Sequence, residues 1–163
     1  MRYHDISHDN MNNGDGLRVV LWVSGCSHHC PECQNPSTWD QHDGLIFDGN
    51  AWEEIEDQLE EDYIEGITFS GGDPLFKANR EDITHLAKLI KDCYPEKTIW
   101  LYTGYVYEDI ADLEIIKYID VLIDGPYVNK MRDTTLKWRG SSNQRVIDVK
   151  KTRELDQIVL WCD

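Results

Sequence analysis

Three cysteines follow directly after an apolar run, and this arrangement constrains the fold more than any other feature of the chain. The run spans Leu17–Val23 and is rich in β-branched and aromatic residues. Such a run predicts a buried strand. Cys26, Cys30 and Cys33 come just beyond it in C-x3-C-x2-C spacing. The thiols are therefore expected in a loop at the carboxyl end of a strand, where open α/β sheets place their ligands.

Clustered thiols of this kind favour a soft metal, either zinc or the iron of an iron–sulfur cluster. A structural zinc site usually has four ligands drawn from two separated pairs, and this chain has one triplet. A four-iron cluster normally takes four cysteines, so a triplet would leave one iron without protein sulfur. A Cys3His zinc site that uses His28, His29 or His42 stays an alternative. A disulfide with a spare thiol is disfavoured, because five cysteines is an odd number and nothing indicates secretion.

Length and charge narrow the class of protein. A chain of 163 residues predicts a single domain over 1–163. The net charge is −15, with 31 acidic against 16 basic residues, which disfavours direct nucleic-acid binding. The amino terminus has no apolar signal segment, and no apolar run approaches membrane-spanning length. We therefore expect a cytoplasmic protein in a reducing setting, with no membrane contact.

The charge is unevenly distributed. The segment 130–153 carries eight basic and two acidic residues, so it contributes +6 and leaves −21 for the remainder of the chain. Such asymmetry often marks a docking surface, although a solvated basic face is the commoner outcome.

Apolar periodicity predicts alternating strands and helices. Residues 1–16 are polar and end in a turn signal at 13–16, before the strand at 17–23. Asn50 and Asn79 are expected to cap two helices, and Cys93 is expected to be buried in the second. The remaining predicted elements are helices over about 51–62, 80–94 and 110–116, and strands over 66–70, 98–102, 118–123, 145–149 and 157–161.

This alternation predicts an α/β fold with a mainly parallel sheet. A closed (β/α)8 barrel typically needs about 250 residues, more than this chain has. The expected architecture is a partial, laterally open (β/α) barrel. An open side would admit a protein loop as substrate.

A second motif, Ser70-Gly71-Gly72-Asp73-Pro74, ends the predicted strand at 66–70. Paired glycines allow close backbone approach to a ligand, and Asp73 could accept a bond from an ammonium or cap a turn. In isolation the stretch would indicate a plain turn. Beside the cysteine strand, it favours a ligand site.

The cysteine spacing followed by Gln34-Asn35 resembles the signature of the radical S-adenosylmethionine (SAM) enzymes. This resemblance implies that Cys26, Cys30 and Cys33 hold a [4Fe–4S] cluster and that SAM chelates the fourth iron. It also implies that the Gly-Gly-Asp stretch meets the amino group of SAM. The other residues expected near SAM are Glu32, Gln34 and Asn35, mainly through backbone, and Tyr102 and Thr103 at the end of the third predicted strand.

Several further motifs narrow the resemblance to one subfamily, the activating proteins of anaerobic (class III) ribonucleoside-triphosphate reductases. They occur in order between Asn13 and Arg145: Asn13-Gly14-x-Gly16-x-Arg18, Cys26-x-His28, Ser37-Thr38-Trp39, Thr103-Gly104-Tyr105, Val121-Leu122-Ile123-Asp124-Gly125 and Trp138-Arg139-Gly140-Ser141-Ser142-Asn143-Gln144-Arg145. The chain departs from the subfamily pattern at three positions. Asp15 stands where the subfamily commonly has the turn Gly-Pro-Gly, Glu32 stands where it usually has glycine, and Gln34 stands where tyrosine is common.

The resemblance implies a defined reaction. A reduced cluster cleaves the sulfonium S–C5′ bond of SAM, which gives methionine and a 5′-deoxyadenosyl radical. That radical takes the Cα hydrogen from a glycine of the reductase, which is the implied partner. The implied electron donor has a low potential, as flavodoxins do. His28, His29 and His42 are expected to be solvent-exposed loop residues, while Trp138-Arg139-Gly140 is expected to close the site or meet the reductase, so that reversing the charges of Lys137 and Arg139 should weaken that association.

Two other hypotheses stay open. The same radical chemistry could act on a small molecule, or the chain could be a non-catalytic zinc or iron–sulfur module. Cleavage of SAM to 5′-deoxyadenosine separates the module from the enzymes, and a glycyl radical on the reductase separates the two enzymes.

Overall fold

The computed structural model describes residues 1–33 and 36–162, and its framework is one seven-stranded sheet. The strand order is β3-β1-β2-β4-β5-β6-β7. The four central strands β2, β4, β5 and β6 run parallel, and β1, β3 and β7 add antiparallel edges. The strands are β1 (Arg2–Asn10), β2 (Leu17–Val23), β3 (Leu45–Ile46), β4 (Ile64–Gly71), β5 (Thr98–Tyr102), β6 (Val121–Asp124) and β7 (Arg145–Asp148).

Helices follow the strands in the expected alternation. The α-helices are α1 (Gly49–Leu59), α2 (Arg80–Cys93), α3 (Tyr107–Ile110) and α4 (Val149–Leu155), with 3-10 turns at Pro36–Thr38, Lys77–Asn79, Glu114–Tyr118 and Asn129–Met131. Asp48 caps α1, because its side chain accepts a bond from the Ala51 N–H. The cap predicted at Asn50 is therefore wrong by two residues. Asn79 does precede α2, but its side chain donates to the Ser24 carbonyl instead of capping the helix.

The two faces of the sheet are covered differently. Alternate strand residues such as Val19, Leu21, Ile67 and Phe69 pack with α1 and α2 into the main apolar core. The opposite face of β5, β6 and β7 carries a smaller cluster of Trp100, Val121, Ile123 and Val146. Since successive strand side chains point to opposite faces, the helices cover one face of the sheet and leave the other available for a site.

Arg18 ties together the amino ends of the central strands. Its guanidinium is buried and donates to Thr68 Oγ1, Thr98 Oγ1 and three backbone carbonyls, at 2.8 to 3.1 Å. All five N–H donors of an arginine can thereby be used, which explains how a buried cation is tolerated without a carboxylate partner. Arg18 also stacks on Trp100 at 5.4 Å from the ring centroid.

The structure corrects several predictions made from the sequence. The polar segment 1–16 contains β1, a strand next to the short edge strand β3, which buries only Tyr3 and Ile6 and therefore carries a weak apolar signal. Cys93 is exposed at the end of α2, so the expectation that it is buried is wrong. The segment 157–161 is not a strand, and forms a single bridge from Leu160 to Ile147.

The sheet is open, because within the described residues no pairing joins β3 to β7. The α/β class with a parallel centre is thus confirmed. No helix in the described part of the chain is long and apolar enough to cross a lipid bilayer.

Candidate functional site

One cavity lies over the helix-free face, at the carboxyl ends of the parallel strands. Its volume is about 450 Å³, within the range of roughly 300–1,000 Å³ usual for small-molecule sites. Cys26, Cys30 and Cys33 all line it, together with Gly71 and Gly72. Two separate sequence motifs therefore meet at one cavity, as their positions after neighbouring parallel strands predict.

The cysteine loop contains a tight turn between its second and third thiols. The N–H of Cys33 donates to the carbonyl of Cys30 at 3.0 Å, with Pro31 and Glu32 at the corner. Glu32 has φ +58°, in the left-handed region. A turn with proline second and positive φ third normally takes glycine at the third position, which explains why glycine is common there in the subfamily. The Glu32 side chain is exposed and is not part of the cavity lining.

The first cysteine of the loop is the most buried of the three thiols. Burial raises the pKa of the Cys26 thiol, and the backbone N–H groups of His28 and His29, which donate to its sulfur, oppose that rise. Amide donors directed at sulfur stabilise a thiolate, the form in which cysteine binds a metal.

This donor set fits an iron–sulfur cluster with one iron lacking protein sulfur. Neither Cys93 nor Cys162 lines the cavity, so the triplet is the complete set of cavity cysteines among the described residues. Within residues 1–33 and 36–162, no three His, Cys, Asp or Glu side chains already stand in ligation geometry. The loop thus gathers the three thiols on one cavity without preforming their coordination.

The paired glycines join the cavity wall to the cysteine strand. A Cβ on Gly71 would lie 2.4 Å from the Val23 backbone, and one on Gly72 would lie 2.5 Å from the Gly25 carbonyl oxygen. Gly72 N–H also donates to the Val23 carbonyl at 2.8 Å. The glycines are therefore required for close packing of backbone on backbone, in addition to any approach by a ligand.

Asp73 is buried, accepts several hydrogen bonds and does not line the cavity. Its carboxylate accepts from the Leu75 N–H, the Gly104 N–H and the Thr103 hydroxyl, each at 2.9 Å for the shorter contact. His28 Nε2 lies 2.7 Å from Asp73 Oδ2. With four internal donors, the carboxylate holds the ends of β4 and β5 to the cysteine loop. Contact between Asp73 and the ammonium of SAM stays a prediction.

His28 fits into a space that glycine provides. A Cβ on Gly104 would lie 2.5 Å from the His28 ring, and Tyr105 packs edge-on against that ring at 4.6 Å between centroids. The His28 side chain is only 18% exposed, so the expectation of a solvent-exposed loop residue is wrong. It is confirmed for His29 and His42, which are exposed.

Tyr102 and Thr103 both line the cavity. Burial raises the pKa of the Tyr102 phenol, which the charge of Arg18 opposes. Thr103 directs its hydroxyl at Asp73. Gln34 and Asn35, which were also predicted near SAM, lie outside the described residues.

The connection between β6 and β7 supplies most of the remaining wall. We call residues 126–144 the β6–β7 loop. The residues of this loop that line the cavity are Tyr127, Arg132, Asp133, Thr134, Leu136, Trp138, Arg139, Gly140 and Gln144.

The Gln144 side chain holds this loop together. Gln144 Oε1 accepts from the N–H groups of Gly140 and Ser141, at 3.0 and 3.2 Å. Gln144 Nε2 donates to the Gly125 carbonyl at 3.1 Å. Sequence reasoning assigned no role to Gln144, Arg132 or Leu136, although the Trp138–Arg145 motif contained the signal for Gln144.

Comparison with known proteins agrees with this geometry. Residues 12–147 match the family described as a 4Fe-4S single cluster domain. A protein of Enterobacteria phage T4, named anaerobic ribonucleoside-triphosphate reductase-activating protein, is 49% identical over 146 residues, covering 90% of this chain and 93% of its own length. The chain belongs to this family of activating proteins.

Other activating proteins of the same name align over similar lengths. The one from Escherichia coli K12 is 41% identical over 150 residues, covering 90% of this chain and 97% of its own. The one from Vibrio cholerae is 38% identical over 148 residues, covering 88% and 96%. Membership in the activating-protein family therefore extends over nearly the whole chain, including the cysteine loop and the β6–β7 loop.

Proposed function

We propose that this chain activates an anaerobic ribonucleoside-triphosphate reductase as a radical SAM enzyme and forms a glycyl radical on it. The single observation that carries the proposal is the meeting of Cys26, Cys30 and Cys33 with Gly71 and Gly72 around one cavity. The names of the relatives support the choice of partner.

In this proposal the three thiolates hold a [4Fe–4S] cluster, and SAM occupies the cavity. When bound, the cluster and SAM supply a reducing electron and the hydrogen-abstracting chemistry that acts on the reductase glycine. The protein's own groups bind, orient and exclude water. The carbonyls of Gly71 and Gly72 are suited to the ammonium of SAM, while Tyr102 and Thr103 border the space for its nucleoside. The backbone near Glu32, Gln34 and Asn35 completes the SAM contacts.

The proposed architecture is a single domain over 1–163 with a partial, laterally open barrel of the radical SAM type. The parallel order of β2, β4, β5 and β6, with helices on one face and the cavity on the other, supports it. An open lateral side suits a partner that delivers a glycine on a protein segment. A cytoplasmic setting with a low-potential donor such as a flavodoxin would supply the electron.

Anaerobic reconstitution with iron and sulfide tests the proposal. The wild-type protein should bind iron, release 5′-deoxyadenosine from SAM under a low-potential reductant, and produce the glycyl radical doublet in electron paramagnetic resonance when the reductase is added. Cys30→Ser should abolish all three signals, whereas Cys93→Ser, which alters an exposed cysteine on α2, should leave them intact.

Each failure has a distinct meaning. Iron binding without 5′-deoxyadenosine would identify a non-catalytic cluster module. Cleavage of SAM without a radical on the reductase would point to a small-molecule substrate, and either result would overturn the proposal.

A further inference from the structure

Arg139 has an unusual set of partners for a cation in a cavity wall. It is half-buried, and its Nη1 donates to the Gln144 carbonyl at 2.8 Å. Its Nε is buried and has no hydrogen-bond partner. Across the described ranges 1–33 and 36–162, no acidic side chain forms an ion pair with it. Arg139 thus lines the cavity as a cation without an ion-pair partner in the described part of the chain, although its Nε itself is closed off from solvent.

The charge of Asp133 interacts with that of Arg139, but the two side chains form no ion pair. Asp133 also lines the cavity, but its Oδ1 accepts from both the N–H and the hydroxyl of Thr135, at 2.9 and 2.6 Å. The other arginine of the lining, Arg132, is exposed and can be solvated. Arg139 is therefore the cavity cation that gains most from an anionic ligand.

The backbone on both sides of Arg139 is fixed, and the residue before it adopts an energetically unfavourable conformation. Trp138, directly before it, has φ +67°, which is rare for a bulky side chain. The indole of Trp138 packs edge-on against Trp100 at 5.7 Å between centroids. Gln144 fixes the other side of the turn through Gly140. Strained residues that are fixed from two sides are concentrated at ligand sites.

We infer that Arg139 binds the carboxylate of an amino-acid-like ligand in this cavity, and that this ligand is the methionyl end of SAM. The inference rests on the proposed function. A guanidinium fork matches the two oxygens of a carboxylate, and a cation in a cavity wall without an ion-pair partner is stabilised when an anion reaches it. Arg139 would thereby orient the same end of SAM that the open iron is proposed to chelate.

Equilibrium binding tests the assignment. Isothermal titration of anaerobically reconstituted protein would compare SAM with 5′-methylthioadenosine, which has the nucleoside and sulfur but no amino acid. Arg139→Gln should weaken SAM binding by about 10- to 100-fold, the range expected for loss of a hydrogen bond to a charged group. Binding of 5′-methylthioadenosine should not change, which also verifies an intact cavity. Arg139→Lys should recover part of the SAM affinity.

Lys130→Gln is the matched control. It removes an equal charge from the same loop at an exposed residue that does not line the cavity, and it should bind both ligands as the wild type does. Equal losses for SAM and 5′-methylthioadenosine in Arg139→Gln would assign Arg139 to cavity shape and overturn the inference, as would no loss for either. If the wild-type protein binds no SAM, the proposed function fails, and the inference fails with it.

Discussion

The backbone φ angle identifies two strained residues near the cavity that the chemistry of their side chains does not single out. Glu32 and Trp138 both adopt left-handed conformations, yet neither is glycine. Each lies in a loop that lines the cavity or carries its thiols. A left-handed conformation costs roughly 1–2 kcal/mol for a residue with a Cβ, so the surrounding structure must hold both residues in place.

Replacing Glu32 by glycine should relieve that cost. We expect Glu32→Gly to increase the free energy of unfolding by about 1 kcal/mol, because the turn from Cys30 to Cys33 keeps its hydrogen bond while the corner loses its Cβ. Urea unfolding would measure the gain. Glu32→Ala is the control, since it removes the same charge and retains the Cβ. Equal stability of the two variants would show that the corner is not strained.

Asp120 is a second residue whose environment predicts a measurable effect. Burial raises the pKa of its carboxyl, but bonds from Lys150, Lys91 and the Ile99 N–H outweigh it, so the pKa lies below the ordinary 3.8. These bonds join the start of β6 to β5, α2 and α4. A depressed pKa means that the carboxylate contributes stability above pH 3.8, and that this contribution is lost as the pH falls through the folded-state value.

Asp120→Asn should therefore lower the free energy of unfolding by about 2–3 kcal/mol at pH 7. The difference from wild type should narrow below pH 3.8, where the wild-type carboxyl becomes protonated. Denaturant unfolding at several pH values measures both effects. Asp112→Asn, at an exposed carboxylate, should change little, and a pH-independent difference for Asp120→Asn would contradict the argument.

At the scale of elements, a buried carboxylate joins the cysteine loop to the ends of two strands. Three motifs that are separate in sequence, Cys26-x-His28, Gly71-Gly72-Asp73 and Thr103-Gly104-Tyr105, meet at Asp73. The sequence placed these motifs at neighbouring strand ends but did not predict the contact between His28 and Asp73, because that contact depends on how the loop folds back over β5.

If Asp73 acts through His28, the two side chains should be energetically coupled. Asp73→Asn and His28→Ala should each speed the loss of iron to a chelator about 10-fold, as expected for removal of a charged buried hydrogen bond. The double variant should be no faster than the faster single variant. His42→Ala, at an exposed loop histidine, is the control, and additive effects of the two substitutions would refute the coupling.

Elements with strong periodicity were predictable, and those defined by tertiary contacts were not. The strands at 17–23 and 98–102 were predicted with the bounds of β2 and β5, because their runs are mainly apolar and rich in β-branched and aromatic residues. The strand β1 was missed, since it lies near the edge of the sheet and buries few apolar residues. The cavity's thiols and glycines were predicted from spacing. Of the long wall formed by the β6–β7 loop, only Trp138-Arg139-Gly140 was expected at the site, because the order of this loop comes from the Gln144 side chain and not from a repeating pattern.

At the scale of the whole molecule, the charges are unevenly distributed, and basic residues lie beside the cavity. Of the eight basic residues in 130–153, Arg145 pairs with Asp124 and Glu108, and Lys150 pairs with Asp120. Four others, Lys130, Arg132, Lys137 and Arg139, lie in the β6–β7 loop. The unpaired positive charge is therefore concentrated beside the cavity of a chain whose net charge is −15, which favours electrostatic steering of an acidic partner surface.

Reversing the exposed lysines of this loop tests that steering. Lys130→Glu combined with Lys137→Glu should weaken association with the reductase about 10-fold at low salt, and the difference should shrink as salt screens the charges. Surface plasmon resonance at several ionic strengths measures it. Lys88→Glu with Lys117→Glu makes the same change in net charge at exposed residues of α2 and the 3-10 turn at Glu114–Tyr118. An equal effect of that pair would show that net charge alone matters.

A single connection between two strands carries both the cavity-lining Arg139 and the exposed lysines. If Arg139 binds SAM and the lysines meet the reductase, as proposed, a substitution in this connection that alters recognition of the reductase would also move the turn that carries Arg139. Specificity for the reductase and affinity for SAM would then evolve together. The cysteine loop, which is anchored separately through Asp73, could stay unchanged.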